Sequence, residues 1–220
     1  MLQCIDTVTL CRTGLQMDTT NIIAGHTLEF IDDIHVYLCD GVIVPSVTQI
    51  LKLKFGNKYD HVSRQTLQRA AEKGTEVHEA IENYCKHGTE SDLVEVRNFK
   101  FLQKQYGFEV LDNETPVILF KDGEPIAAGR LDLVLEMDGK IGGGDIKRTS
   151  TLDKNYLAYQ LNLYRIAYMQ CYDVEWQFLK GVHLRENVRK FIDIPINEQL
   201  AWDLVEEYLK GQNNEENSNS

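Results

Sequence analysis

No stretch of the 220-residue chain approaches the ~18 consecutive apolar residues of a membrane-spanning helix. The opening segment, MLQCIDTVTLCRTGLQMD, lacks the basic-then-apolar order of a secretory leader. Cysteine is sparse: Cys4, Cys11, Cys39, Cys85 and Cys171 are odd in number, scattered, and never spaced CxxC. That spacing argues against a structural zinc and an iron–sulfur cluster, and leads us to expect reduced thiols in a cytoplasmic protein. A basic excess is missing too. The formal charge is −11, which argues against a general nucleic-acid coat protein.

The charge that is present is unevenly placed. Residues 52 to 73 carry Lys52, Lys54, Lys58, Arg64, Arg69 and Lys73 against only Asp60 and Glu72, while residues 193 to 220 carry seven acids against Lys210. A local basic face of this kind can serve a polyanion while the rest keeps the chain soluble.

The length suits one domain with a sizeable core, here expected over residues 1–210. HTLEFIDDIHVYLCDG alternates apolar and polar residues around an acidic turn, which predicts a hairpin. In VPSVTQILK, Ser46 and Gln49 form a capping box for a short helix. Helical spacing follows through SRQTLQRAAEKGTEVHEAIENYCKHG, with Gly74 as a weak point and Gly88 as a stop, and again through SDLVEVRNFKFLQKQYG. These pieces make up an N-terminal part over 20–106. The expected core, 107–195, holds a three-strand meander with glycine and acidic turns, a helix at NYLAYQLNLYRIAYMQCY and two more strands. A closing helix over 196–210 precedes GQNNEENSNS, a polar tail at 211–220 expected to be disordered. The order predicts an α/β fold with a mixed central sheet flanked by helices.

Within GRLDLVLEM, Leu131, Leu133 and Leu135 share one strand face and Asp132 interrupts the other. A carboxylate inside a central strand needs a cation partner. On the next strand, IGGGDIKRT, Asp145 and Lys147 point the same way, and antiparallel pairing can bring Asp132 and Asp145 together. Two adjacent carboxylates with a neighbouring lysine suit Mg²⁺ or Mn²⁺. Glycines 142 to 144 would let backbone or substrate approach that edge. DGK at Asp138 to Lys140 has the same acid–lysine spacing but reads as a hairpin turn. His78, in GTEVHEAIENY, falls on or beside the apolar face of its helix, and Gln160 and Tyr164, four apart, share a largely apolar helix face.

In order, GxxxH (Gly74 to His78), GRLD (Asp132), DIK (Asp145 to Lys147) and QxxxY (Gln160 to Tyr164) resemble the RecB-like branch of the PD-(D/E)XK nucleases, with a restriction-endonuclease-like core, over roughly residues 44 to 170. VIVPSVTQILK ahead of KGTEVHEAIE is similar to phage and prophage members described as exonucleases. The resemblance implies that His78, Asp132 and Asp145 hold the metal with help from the Ile146 carbonyl. It implies that Lys147 is the catalytic lysine, that Gln160 and Tyr164 line the site, and that Glu114 matches an acidic position of some members. Arg148 stands where members often carry Thr or Ser. No C-terminal cysteine cluster for an iron–sulfur centre and no GxxxxGK[ST] loop of a helicase fusion is present.

The chemistry expected is phosphodiester hydrolysis on DNA, at a duplex end or in a single strand, as an exonuclease of phage-type recombination or end resection. Arg130, Arg148 and Lys154 flank the site and could hold the phosphate backbone. A single-strand annealing protein as partner, a homo-oligomer, and a bacterial or phage-infected cell as setting are compatible with the resemblance. The alternatives are a structure-specific or nicking endonuclease in repair, and a catalytically inactive nucleic-acid-binding module on the same fold.

Overall fold

Four two-residue turns fold the strands back on their neighbours, each with both central residues at positive φ: Ala24–Gly25, Asp40–Gly41, Asp122–Gly123 and Asp138–Gly139. Such turns match the right-handed twist of paired strands, which is why Asp-Gly recurs at three of them. DGK at Asp138 is therefore the hairpin its sequence predicts. The computed structural model describes residues 19–56 and 62–218.

Strands β1 (Thr19–Ile23), β2 (His26–Ile31), β3 (Val36–Cys39) and β4 (Val42–Val44) make a four-stranded antiparallel sheet, larger than the single hairpin expected. Ser46 then caps helix α1 (Val47–Phe55) through the full capping box with Gln49. Helix α2 (Arg64–His87) runs straight through Gly74 and stops at Gly88, which sits at φ 66. Helix α3 (Val94–Tyr106) leads into the meander β5 (Glu109–Lys121), β6 (Glu124–Met137) and β7 (Lys140–Lys147). Helix α4 (Lys154–Tyr172) crosses over to β8 (Phe178–Arg185), and β9 (Val188–Ile194) follows. The second sheet has the order β5-β6-β7-β8-β9, antiparallel except for β7 with β8, as the α4 crossover requires. The α/β class with a mixed central sheet is thus observed.

The sheet is buried on both faces. Leu131, Val134, Leu157, Leu161 and Trp176 pack with α1 and the last helix, α5 (Glu198–Ser218), on one side. Val77, Ile81, Phe99, Leu133, Ile146 and Val182 pack with α2 and α3 on the other. The small sheet docks through Leu28, Phe30 and Tyr37 onto Ile118 and Ala128. Helix α5 continues to Ser218, past the end expected at 210, so the tail read as disordered is helical to that residue. Gly211 costs a helix only about 1 kcal/mol, and the Gln and Glu residues around it sustain helix well.

The glycine run has a different purpose from the one expected. A Cβ on Gly143 would stand 1.9 Å from Cζ3 of Trp176, and one on Gly142 would stand 2.5 Å from the Phe178 ring. These glycines are the floor on which two aromatic rings lie, not an opening for substrate. Gly143→Ala should lower stability by about 1–3 kcal/mol or more, because the buried Trp176 ring has nowhere to retreat. Gly74→Ala, with nothing within 4 Å of its Cβ, should be neutral or stabilising by up to about 1 kcal/mol. Urea denaturation of the two variants checks the contrast.

Candidate active site

The β6–β7 ladder closes with Leu133 opposite Gly144, so the next residues outward are Asp132 and Asp145. Beyond that point side chains continue what the ladder began. Asp132 Oδ2 accepts the Ile146 N–H at 2.7 Å. From α2, His78 Nε2 meets the Ile146 carbonyl at 3.1 Å. A carbonyl only accepts, so Nε2 carries the proton and Nδ1 is turned the other way, 3.7 Å from Asp132 Oδ2 and 3.7 Å from Glu114 Oε1.

Glu114 reaches this point by an unusual route. It lies within β5 at φ 53, left-handed backbone that a non-glycine residue rarely adopts. Its neighbours Asn113 and Thr115 pair with Leu133 and Leu131, which sets Glu114 abreast of Asp132. Strain held at one residue of a strand marks places where side-chain aim matters. His78, Glu114 and Asp132 each present a ligand atom within 4.8 Å of the others. That span fits the donors of one Mg²⁺- or Mn²⁺-like ion with bonds of about 2.0–2.3 Å.

Asp145, expected beside His78 and Asp132 on that ion, does not join their cluster; Glu114 does. Asp145 is 1% exposed, and Lys147 Nζ lies 2.6 Å from its Oδ2 as a close ion pair. Asp145 Oδ1 and Gln160 Oε1 are buried with no hydrogen-bond partner among the described residues. Orphaned acceptors beside three ligand groups are a site short of positive charge, and a divalent cation fits it. The Ile146 carbonyl, expected as a further ligand, is engaged by His78.

Burial opposes a charged His78, but the carboxylates of Asp132, Glu114 and Asp145 outweigh it and carry its pKa up to about 9. A cation bound at Nδ1 would therefore displace a proton. Burial, with Asp132 behind it, pushes the Asp145 carboxyl up to about 6 against the pull of Lys147. Burial also opposes the Lys147 ammonium, yet Asp145 and Asp132 hold it above its ordinary range. Tyr164 is raised well above the phenol range, chiefly by burial, and stays neutral.

A cavity of about 370 Å³ opens over the cluster, walled by Phe30, Tyr37, Gly129, Arg130, Gln160 and Tyr164. Gly129 is needed there because its Cβ would lie 2.9 Å from Tyr164 Cε1. Arg130 stays at the cavity, 3.8 Å from Glu114 Oε2 and over the Phe30 ring. Phe30 and Tyr37, supplied by the small sheet, were missed by sequence reasoning, since alternation shows a strand but not what it docks against. Arg148 is drawn away to a 2.7 Å ion pair with buried Glu95. Lys154 is exposed at the start of α4, on the rim of a groove of about 970 Å³ between the first turns of α2 and the 148–154 loop. Of the basic segment, Arg64 and Arg69 are exposed on those turns of α2, Lys73 pairs with Glu76, and Lys58 lies outside the described residues.

No family model matches the chain, and no curated protein matches it. Among solved structures the chain is similar to the crystal structure of SSO0001, at 15% identity over 76% of this chain and 75% of that one, with a TM-score of 0.45.

Manganese affinity tests the ligand set. Glu114→Ala and His78→Ala should each weaken Mn²⁺ binding about tenfold or more by calorimetry, while Arg148→Ala, remote from the cluster, should not. Unchanged affinity in Glu114→Ala would remove that residue from the set.

Proposed function

We propose that the chain is a divalent-metal-dependent deoxyribonuclease resembling the RecB-like PD-(D/E)XK enzymes, working as an exonuclease in phage-type recombination or end resection. One observation carries the reading: an imidazole and two carboxylates gathered within 4.8 Å, beside a strand that presents a buried aspartate and a lysine 2.6 Å apart. A binding module has no use for carboxylates crowded together at a cost.

Mg²⁺ or Mn²⁺ held by His78, Glu114 and Asp132 would supply Lewis acidity towards a phosphoryl oxygen and a neighbouring water. The remaining work falls to the chain itself. Lys147 Nζ orients the attacking water and offsets the charge that grows on the phosphate. Asp145 keeps that ammonium protonated and fixed in place. Gln160 Oε1, buried and unpartnered, accepts a hydrogen bond from the water, and Tyr164 holds its helix against Gly129. Arg130 meets the scissile phosphate across the cavity. In-line attack expels the 3′ oxygen and leaves a 5′ phosphate.

The groove beside α2 gives the rest of the strand a path. Its loop begins at Arg148, next to Lys147, and its helix continues to Gly74, Thr75 and His78 in the cavity wall. Lys154, on its rim, and Arg64, beside the helix face that lines it, would meet phosphates along it without reading sequence.

End-labelled linear duplex should be degraded with Mg²⁺ and untouched with EDTA, while a closed circle stays intact; nicking of the circle would favour the endonuclease reading. Lys147→Met should slow cleavage by about 10²–10³ with DNA affinity retained. It should also lower the thermal midpoint, because it leaves Asp145 buried without its cation. A Lys147→Met protein that cleaves at the wild-type rate would sink the mechanism.

Binding should weaken steeply with salt. Replacing Arg64 and Lys154 together by Ala should flatten the slope of log affinity against log salt by about 1–2, as expected for two lost phosphate contacts. An unchanged slope would leave those residues as a solvated face.

A further inference from the structure

At the end of the β2–β3 hairpin away from the cavity, three different donors meet. His26 opens β2, Cys39 ends β3, and Asp40 is the first turn residue after it. His26, Cys39 and Asp40 each place a ligand atom within 4.8 Å of the others. His26 Nδ1 is 2.7 Å from Asp40 Oδ2. Asp40 is aimed by its backbone: its N–H bonds the Thr27 carbonyl at 2.9 Å, and its Oδ1 accepts the Thr27 N–H at 2.8 Å. Three points no more than 4.8 Å apart can all lie within about 2.8 Å of one centre, and bonds of 2.0–2.3 Å need a contraction of roughly half an ångström.

We propose that His26, Cys39 and Asp40 form a second metal site, for a borderline-soft ion of the Zn²⁺ class. The donor set makes that choice. Thiolate with imidazole selects Zn²⁺ or Co²⁺ over Mg²⁺, whereas the His78 cluster supplies mostly carboxylate oxygen. An ion pair accounts for His26 and Asp40 and packing accounts for the Cys39 side chain, but neither requires a sulfur within ligand distance of both partners. Asp40 is half exposed, so water takes the fourth position of a tetrahedral site. Cys171 is not that fourth ligand, because its sulfur is held between the Ile118 N–H and carbonyl, each at 3.2 Å. Binding releases the Cys39 thiol proton to solvent, while the His26 ring binds through one nitrogen and keeps its N–H on the other. The Phe30–Tyr37 pair that walls the cavity lies two residues from Cys39 and four from His26, about 7 and 13 Å along the same strands, so the ion would brace the sheet that carries the cavity wall.

Cobalt substitution tests this, because only a thiolate ligand gives a near-ultraviolet sulfur-to-cobalt charge-transfer band. One equivalent of Co²⁺ added to the full chain should produce that band, and Zn²⁺ should abolish it by displacement. Cys39→Ser should eliminate the band, and Cys85→Ser should retain it. His26→Gln, a partly exposed position that leaves the core intact, should weaken Zn²⁺ affinity tenfold or more and remove the rise in melting temperature that Zn²⁺ gives the wild type. A wild-type protein with no band, a band that persists in folded Cys39→Ser, or His26→Gln with wild-type Zn²⁺ affinity would each overturn the proposal.

Discussion

The backbone of Ile146 is gripped on both sides, its N–H by the Asp132 carboxylate and its carbonyl by His78. This grip joins β6, β7 and α2 at the edge of the core where Val77, Ile81, Leu133 and Ile146 pack together. It fixes the His78 ring by spending Nε2 on the carbonyl, which turns Nδ1 towards Glu114 and Asp132. It fixes Asp132 by spending Oδ2 on the strand it faces. Both side chains are thereby held by backbone before any ligand arrives, and preorganisation of that kind is what an electrostatic site needs.

Charge crowding is the cost of the arrangement. Glu114, Asp132 and Asp145 share one end of a sheet inside a protein whose formal charge is already −11. His78 answers with a pKa of about 9 and Lys147 with an ammonium pressed onto Asp145. The metal-free protein thus uses a proton and a lysine where the proposed enzyme would add a divalent ion.

Local signals in the sequence were legible. The capping box at Ser46 and Gln49, the Asp-Gly turns and the stop at Gly88 are each decided within a few residues, and each is observed. The face shared by Asp145 and Lys147 follows from strand alternation alone. What could not be read depends on partners far along the chain. Glycines 142 and 143 are explained only by Trp176 and Phe178, some thirty residues later. Arg148 looked free for phosphate until Glu95, on a helix fifty residues earlier, claimed it. Glu114 was matched only by resemblance, because nothing in its neighbours announces a left-handed residue inside a strand.

The meander has a consequence for how the chain folds. Two tight turns, at Asp122–Gly123 and Asp138–Gly139, bring β5, β6 and β7 together through contacts close in sequence, and such contacts form early. Helix α2 must return from dozens of residues upstream, and β8 joins β7 only after the α4 crossover. The three acids are therefore assembled by the quickest part of the topology, ahead of the helix that brings His78. A half-folded chain would carry this knot of three acids with Lys147 and Arg130 as its nearby counterweights, so counter-ions in solution become participants in folding as well as in function.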